Sequence, residues 1–353
     1  MANGVNFLAV SLVDGHVLCE LPDLQVSEMV IRLEESSSTS ATLPLRNAPV
    51  NWEQATRAYC CAVLAVTDSM LPLWGGIVVK RSRELGAGVV TLTLETVETY
   101  LSRLYTPAVS FSKQSQSEIF RQLVDSCMSG HGFNYSLNIE DSAVIRDRQY
   151  TADNNKTLLS ALQDLSSVIN GIEWESYWRA DGDGSFTPVF HCADRLGGTM
   201  PMHVALSQLA AATYLEDYSS SYGANRVQAV SGSGDTALRS SWHQVTQTSR
   251  PVVDYIYSAN DSIVVQDTLD GYAAQNLKAM QDGTNSLTVE LPLLDSLGFW
   301  ALIRMGDPLV IDFDDGGAAF PDIAAYKARI IGAKYSFGQG GWLIEPTLQK
   351  MED

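Results

Sequence analysis

One pattern restricts the fold of this chain more than any other: three features of the N-terminal part return, in the same order, in the C-terminal part. They are a short L-P-L motif, an apolar strand-like run, and two strand-like runs joined by a glycine-rich turn. The matching stretches are 42–45 with 290–293, 62–68 with 308–314, and 77–95 with 329–348. The offset stays near about 250 residues, which predicts one small β-unit present twice.

The paired runs have the alternation of half-buried β-strands. In VVTLTLETV, residues 89–97, the apolar residues Val90, Leu92 and Leu94 alternate with polar ones. Successive side chains of a strand point to opposite faces, so this pattern buries one face only. The GAG sequence before this run supplies the turn of a hairpin. We interpret each copy of the repeat as a small β-barrel.

The chain between the two copies has a different pattern. Residues 119–128 place apolar side chains at helical spacing, after a Ser115–Glu118 capping box and before Gly130. A second helix is predicted from about Lys156 to Asn170. The stretches IEWESYWR and SFTPVFH then form a hairpin around ADGDG. The middle of the chain is therefore predicted to be α+β.

Together these patterns predict an α+β fold that is mainly β and has three parts. Residues 1–107 are the first tube-like β-barrel, and residues 108–205 are an α+β domain. Residues 206–353 are the second tube-like barrel, with a helix inserted around 267–281. A chain of 353 residues favours several modules, because single hydrophobic cores stop growing near about 250–300 residues.

The charge of the chain argues against a protein that grips nucleic acid. The sequence has 41 acidic and 23 basic residues, which gives a formal net charge of −18. Such a surface repels a phosphate backbone. DNA could nevertheless pass through an acidic channel without adhering to its wall.

The cysteines and the N-terminus indicate folding in a reducing cytosol. The chain has no C-x-x-C pair, so neither a disulfide framework nor a zinc ribbon is expected. The cysteines are Cys19, Cys60, Cys61, Cys127 and Cys192. The N-terminus has no lysine or arginine before its short apolar run, and Arg32 is the first basic residue, so a signal peptide is not expected. No apolar run approaches the roughly 18–20 residues that span a bilayer. We therefore expect no stable membrane insertion.

Two aspartate-rich stretches raise the question of calcium binding. They are GDPLVIDFDDGG, residues 306–317, and DGDG, residues 181–184. Counting twelve positions from Asp312 and from Asp181 reaches an isoleucine and a cysteine, where an EF-hand loop needs glutamate. We interpret both stretches as turns, since Asp and Gly tolerate the backbone conformations of turns; residues 314–317 supply the first.

Two glutamates could be imagined as the catalytic pair of a glycoside hydrolase. Glu173 and Glu175 flank Trp174 on a predicted strand, and such enzymes use two carboxyl groups. The opposite, buried face of that strand carries Ile172, Trp174 and Trp178. Both glutamates are therefore expected on the solvent-facing side. A catalytic acid also needs an apolar pocket that raises its pKa, which this pattern does not offer.

Other reactive residue types lack the spacing of a known site. His191, Cys192 and Asp194 have metal-binding atoms, but neighbouring side chains on a strand diverge and no second pair lies at ligand spacing. Ser110-x-x-Lys113 matches the S-x-x-K motif in letters only, because it precedes a helix. G-x-S-x-G, Walker and H-E-x-x-H motifs do not occur. We therefore assign no catalytic, cofactor-binding or metal-binding residue, and expect no enzyme.

Several stretches of the chain resemble the hub proteins at the tail tip of long-tailed bacteriophages. This group includes minor tail proteins of siphophages and the baseplate hubs of contractile tails. The stretches that carry the resemblance are LWGGIVVKRSREL with VTLTLET, KTLLSALQDLSSVINGIEWE, ANRVQAVSG, and RMGDPLVI with ARIIGAKYSFGQGGWLIEPTL. They cover most of the chain, and each is a structural pattern rather than a catalytic signature.

The resemblance implies a structural role in the virion tail tip, after assembly in the cytoplasm of the bacterial host. Such hubs form homotrimers, and two barrels per chain match a sixfold tail tube to threefold fibres. The implied partners are the distal tail protein, the tape measure protein and the tip or fibre proteins. DNA is implied to pass the channel during genome ejection without specific binding.

Two alternatives stay open at the level of sequence. The chain could be a distal tail ring or a glycan-binding tail protein, or, on its carboxylates alone, a wall or polysaccharide hydrolase. The seven tryptophans and fourteen tyrosines fit a barrel core and subunit interfaces, but exposed aromatic side chains at a tip could also bind glycans. The sequence does not separate these two uses.

Overall fold

The computed structural model describes residues 4–84, 86–151, 155–168, 170–219, 223–232, 237–246, 249–259, 263, 265–293, 304–313, 325–338 and 341–351. Half of the chain is strand and about a sixth is helix, which confirms the predicted mainly-β α+β class. The first strands in chain order are β1 Val5–Ser11, β2 Val17–Glu20, β3 Gln25–Val26, β4 Glu28–Arg32, β5 Ser38–Pro44, β6 Cys61–Thr67, β7 Pro72–Glu84 and β8 Val89–Glu95.

The middle and C-terminal parts contain the remaining strands. They are β9 Val109–Ser115, β10 Ser136–Ile139, β11 Ile145–Tyr150, β12 Glu173–Ala180, β13 Phe186–Ala193, β14 Met202–Ala205, β15 Ala211–Asp217, β16 Arg226–Ser231, β17 Leu238–Arg239, β18 His243–Gln244, β19 Asp254–Ala259, β20 Thr284–Pro292, β21 Pro308–Asp312, β22 Ala325–Gly338 and β23 Gly341–Lys350. The α-helices are α1 Trp52–Ala55, α2 Glu98–Leu101, α3 Gln116–Met128, α4 Leu158–Ser166 and α5 Gln266–Met280. No helix in these ranges is both long and apolar enough to cross a membrane.

The chain divides into two compact units. Unit 1 contains residues 1–211 and 289–353, and unit 2 contains residues 212–288. Unit 2 is thus an insertion with several strands of its own besides the predicted helix. The predicted boundaries after residues 107 and 205 stay predictions.

The first large sheet of unit 1 has the strand order β2-β1-β6-β7-β8-β5-β3, and all neighbours are antiparallel. The predicted strand 89–97 is confirmed as β8, with Val90, Leu92 and Leu94 fully buried. It forms the predicted hairpin with β7. β6 is buried along its whole length, because strands cover both of its edges and the core covers its face.

The second large sheet repeats the order of the first. Its unit 1 strands run β14-β21-β22-β23-β20, so β20, β21, β22 and β23 take the places of β5, β6, β7 and β8. The register also matches. Leu43 of β5 lies opposite Val90 of β8, and the equivalent Leu291 of β20 lies opposite Ile344 of β23. The internal repeat predicted from sequence is therefore present in the strand pairing.

A β-bulge occupies the same place in both copies. The register of β7 against β8 shifts between Val78 and Lys80, which makes Val79 the extra residue. The register of β22 against β23 shifts between Ile330 and Gly332, which makes Ile331 the extra residue. Bulges are specific features that bend a strand and increase its twist, so their shared position strengthens the equivalence. Among the described residues neither sheet closes into a barrel, and the two-barrel architecture stays a prediction.

The two copies differ at one side of the sheet. In the first copy β1 lies between β2 and β6, whereas β14 pairs directly with β21 in parallel. β14 is the counterpart of β2, because both lead into the same turn: Leu24 N donates to Leu21 O, and Leu209 N donates to Leu206 O. β1 is thus an additional strand of the first copy.

β4 connects the two sheets of unit 1. It pairs antiparallel with residues 332–336 of β22, from Arg32 opposite Gly332 to Glu28 opposite Ser336. The hydroxyl groups of Ser37 and Thr39 donate to backbone carbonyl groups of β4 and hold it beside β5. A strand of the first copy therefore covers an edge of the second.

The middle module packs helices on a small sheet, as predicted. α3 begins where the Ser115 hydroxyl accepts a hydrogen bond from Glu118 N, and Gly130 follows its end with a φ of 78°. α4 is shorter than the predicted helix 156–170: it begins after the Thr157 cap and ends at Ser166. Asn170 has a φ of 54°, which is incompatible with helix continuation. β12 and β13 form the predicted antiparallel hairpin.

Unit 2 is a small sheet covered by one helix. β16 pairs with β17 and β18 antiparallel and with β19 in parallel. The predicted helix between Asp267 and Met280 is confirmed as α5. Its residues Leu269 and Ala273 pack against Ala229 of β16 and Ala259 of β19.

Candidate functional site

Strand β12 carries Glu173 and Glu175, the two glutamates considered above as a catalytic pair. Ile172, Trp174 and Trp178 face the core, as predicted. Glu173 is partly buried and forms an ion pair with Arg329 of β22, whose Nη1 lies 2.7 Å from its Oε1. Arg329 is 5% exposed and also donates to the backbone carbonyls of Leu196 and Gly306. Glu173 thus ties the middle module to the second copy of the repeat.

The expected exposure of Glu175 is wrong. Glu175 is 6% exposed, and its Oε1 lies 3.1 Å from Nδ1 of His191, the residue opposite it on β13. The other ring nitrogen, Nε2, lies 3.1 Å from Glu140 Oε1. The hydrogen bond to Glu175 and the second carboxylate raise the pKa of His191 above its usual value. Alternation along one strand did not reveal this cluster, but the hairpin register implied by the ADGDG turn pairs Glu175 with His191.

Two carboxyl groups with raised pKa values were missed by sequence reasoning. Glu98 of α2 is 4% exposed, and its pKa is raised chiefly by burial. The Ser176 hydroxyl donates to its Oε1, while its Oε2 has no hydrogen-bond partner in the described part of the chain. Burial also raises the pKa of Glu34 to about 7. No local pattern marks these residues, because strands distant in sequence bury them.

Glu98 and Glu175 lie at the wall of a cleft of ≈ 580 Å³ within unit 1. Tyr177 and Arg304 also line it, with the guanidinium 5.5 Å from the centre of the Tyr177 ring. A hydrolase needs a carboxylic acid and a carboxylate that both reach the substrate. Here both carboxyl groups are almost completely buried, and each accepts a hydrogen bond from the protein. The arrangement is suited to anchoring β12 and α2 rather than to acid–base chemistry.

The aspartates of the 181–184 stretch form the predicted turn. Asp181 accepts hydrogen bonds from the Thr187 hydroxyl and from Arg179, and these lower its pKa. Asp183 accepts from Ser185 N and its hydroxyl, which likewise lowers its pKa. Gly184 has a φ of 84°, which favours glycine. These carboxylates are therefore used to close a hairpin.

The 306–317 stretch begins with a second tight turn. Asp307 accepts hydrogen bonds from Arg304 N and Gly198 N. Gly306 has a φ of 91°, and a Cβ there would lie 2.2 Å from Leu196 O, so only glycine fits. The proposed turn at residues 314–317 lies outside the described residues.

The remaining candidates are dispersed. Cys192 is buried, which raises its pKa to about 12, and Asp194 accepts hydrogen bonds from Gln116 and Ser142. Ser110 and Lys113 lie on β9, before α3. All five cysteines are free thiols. No three His, Cys, Asp or Glu side chains in the described ranges are placed to hold a metal ion.

Most of the described tryptophans belong to the interior. Trp74, Trp174, Trp178 and Trp342 are buried, whereas Trp242 is 41% exposed. The described tryptophans are therefore mainly packing residues, whereas the described tyrosines include the exposed Tyr59, Tyr105, Tyr218 and Tyr272.

Comparison of sequences finds no relative, whereas comparison of folds does. No protein-family model matches the chain, and no curated protein is significantly similar to it. A tail protein from Neisseria meningitidis MC58 has the same fold, with 13% identity, a TM-score of 0.57, and coverage of 99% of this chain and 97% of that one. A 43 kDa tail protein of prophage MuSo2 from Shewanella oneidensis has 10% identity, a TM-score of 0.56 and the same coverages.

A third match comes from a larger protein. A chain of the Francisella PdpA–VgrG complex has 10% identity and a TM-score of 0.51, and 99% of this chain covers 53% of it. Identities this low establish the fold alone. At the level of the fold, the resemblance to phage tail hubs that was predicted from the sequence is confirmed.

Proposed function

We propose that this chain, which has the fold of phage tail proteins, is the structural hub of a long tail. Three copies form a ring of pseudo-sixfold symmetry between the tail tube and the tip or fibre proteins, around the DNA exit channel. The observation that carries the proposal is the duplicated sheet, with its shared strand order, register and bulge.

The duplication supplies a physical reason for the ring. A sixfold tube presents six equivalent surfaces, and a threefold spike presents three. A trimer of chains with two related sheets offers six similar surfaces to the first partner and three identical ones to the second. Closed rings bury complementary surfaces without forming open filaments.

The charge and the buried carboxylates agree with a structural role. A net charge of −18 disfavours adhesion of DNA during genome ejection, because like charges repel. The carboxyl groups of Glu98, Glu175 and Glu173 are engaged by Ser176, His191 and Arg329, respectively. These observations support our proposal of a structural role without enzymatic activity, with the distal tail protein, tape measure protein and fibre proteins as the proposed partners.

The comparison proteins supply independent support. Two of them are tail proteins whose whole length is matched by this chain. The match therefore includes the repeat and the insertion together rather than one common module. We accordingly propose the virion tail tip as the location of the chain.

The test is a count of copies. Mass photometry of the purified chain should give a trimer, and cryo-EM of purified tails should place three copies at the tip. Six copies per tail would identify a distal tail ring instead. A protein that stays monomeric and is absent from purified tails would refute the proposal.

A further inference from the structure

The middle module contains a small cavity that is separate from the cleft described above. Its volume is ≈ 90 Å³, and Arg148, Tyr150, Lys156 and Asp164 are among the residues that line it. Arg148 and Tyr150 belong to β11 and Asp164 to α4, and Lys156 lies just before the Thr157 cap of that helix. A water molecule occupies about 30 Å³, so the cavity has room for a small ion.

Two side chains of β11 line this cavity from the inner face of the strand. Arg148 is half-buried and Tyr150 is buried, whereas the alternate residues Asp147 and Gln149 are exposed. The ring of Tyr150 contacts Phe111 of β9 edge to face, with 6.3 Å between the ring centres. This packing fixes the phenol ring, so this part of the cavity wall is preformed.

Both side chains have hydrogen-bond donors without a partner in the described part of the chain. Tyr150 is 7% exposed, and its hydroxyl group is buried and makes no hydrogen bond. The Nε of Arg148 is buried and unpaired in the same way. Unpaired buried donors are costly, so groups of this kind normally mark the position of a bound water, ion or ligand.

The hydroxyl group of Tyr150 and the guanidinium group of Arg148 lie near each other. Burial raises the pKa of Tyr150, and the positive charge of Arg148 lowers it in part. Coulomb interactions weaken with distance, so this effect requires that the two groups are neighbours. Donors from two residues therefore converge on one small volume.

The side chains that line the cavity leave one positive charge uncompensated. Lys156 forms an ion pair with Asp164, so these two charges balance. Arg148 forms no ion pair with a described residue, and its Nη2 donates to the backbone carbonyl of Asp164 at 3.3 Å. A buried or half-buried cation without a counter-ion is unfavourable. This local charge is complementary to an anion, although the formal net charge of the chain is −18.

We propose that this cavity binds a small oxyanion, a carboxylate or phosphate group, between Arg148, Tyr150 and Lys156. The guanidinium group offers Nε and the second hydrogen of Nη2 as a fork for two oxygen atoms. The Tyr150 hydroxyl donates to one of these oxygens, and the Lys156 ammonium group adds positive charge. Water would satisfy the donors but would leave the charge of Arg148 uncompensated. This site does not depend on the proposed ring.

The test is a calorimetric titration of the full chain with two probes, inorganic phosphate and acetate. Each is compared with chloride at equal ionic strength, so that the general screening of charges is the same. Saturable binding of at least one probe is expected. Heats that do not saturate with either probe would show that the cavity holds water only and would overturn the proposal.

Tyr150→Phe tests whether binding occurs in this cavity. The variant loses the hydroxyl group and keeps the ring against Phe111, so the fold should be retained, which the melting temperature checks. It should bind the probe about tenfold more weakly, because a hydrogen bond to a charged group contributes about that much to affinity. Tyr135→Phe removes a hydroxyl of the same module that donates to Asp125 at 3.0 Å, and should leave the affinity unchanged. Equal affinity of Tyr150→Phe and wild type would overturn the site.

Arg148→Lys tests the guanidinium fork. This variant keeps the positive charge and removes the paired donors, so its affinity should also fall by about tenfold. Wild-type affinity in this variant would contradict the proposed fork.

The ratio of the two probe affinities distinguishes the source of the oxyanion. Acetate represents the carboxylate of an Asp or Glu side chain, and inorganic phosphate represents a free anion. A preference for either probe that is lost in Tyr150→Phe supports the site and assigns its ligand. A preference that Tyr150→Phe retains at full affinity would place the binding elsewhere and overturn it.

Discussion

The two copies of the repeat have the same backbone plan and different surroundings. β5 to β8 and β20 to β23 share strand order, register and bulge. The first copy has gained β1, whereas the second receives β4 at an edge where, among the described strands, the first copy has no equivalent partner. The pairing of strands has been retained and the edges have diverged, which indicates that the edges specify how each copy is used.

The largest expected effect on stability comes from a position that is charged in one copy and apolar in the other. Arg329 occupies the position of Ile77, which is fully buried and apolar. Arg329→Ala should lower the free energy of unfolding by about 3–5 kcal/mol, because it leaves Glu173 partly buried without its ion-pair partner. Urea denaturation measures the change.

Two variants control this prediction. Arg329→Met with Glu173→Gln removes both charges and should recover more than half of the loss. Arg32→Ala breaks an exposed pair with Glu35 and should cost less than about 1 kcal/mol. If the Arg329 variant is no worse than the Arg32 variant, the second copy does not depend on its contact with β12.

Substitution of equivalent leucines in the two hairpins should lower stability by different amounts, and this difference is smaller than the effect of Arg329→Ala. Leu94 of β8 is fully buried, and its counterpart Leu348 of β23 is half-buried. Leu94→Ala should cost about 2–5 kcal/mol, and Leu348→Ala about half as much, since less apolar surface and a smaller cavity are involved. Equal losses, measured by urea denaturation of both variants, would show that the second hairpin is as deeply packed as the first.

Gly75 of the first copy approaches the middle module closely. A Cβ on Gly75 of β7 would lie 2.3 Å from Nε1 of Trp178, whereas the equivalent residue of β22 is the exposed Lys327. Gly75→Ala should therefore cost about 1–3 kcal/mol through overpacking. Gly182→Ala is the matched control, because a Cβ there would have no heavy atom within 4 Å, and it should not lower the melting temperature. A melting temperature unchanged by Gly75→Ala would contradict the close approach.

The smallest effect should be a pH dependence that belongs to the middle module rather than to either copy. Glu175 and Glu140 raise the pKa of His191 in the folded state, so its charged form stabilises the fold. This contribution is complete below the unfolded pKa of about 6.5 and is lost as pH rises through the folded pKa.

His191→Gln should remove that part of the pH dependence. Glu98, whose pKa is also raised, changes stability in the same direction, so the informative quantity is the difference between wild type and variant at each pH. A constant difference between pH 5 and 9 would show that His191 is not coupled to its two carboxylates.

The candidate site was harder to predict than the elements that carry it. The helix starting after Ser115 and the strand 89–97 were predictable because capping and alternation depend on neighbouring residues. Glu175 was misplaced, because one strand's alternation does not reveal what covers its other face. Glu98 was missed for a related reason: its burial depends on Ser176 and on strands far along the chain.

Local periodicity and an offset repeat were enough to determine the mainly-β class, most strands, two of the three long helices closely, and the existence of two related sheets. Only the tertiary structure decided that β4 crosses to β22 and that Arg329 is buried against Glu173. The physical reason is the separation along the chain over which each interaction acts. Hydrogen-bond geometry and side-chain alternation act between near neighbours, whereas the filling of an edge depends on which distant segment reaches it in the fold.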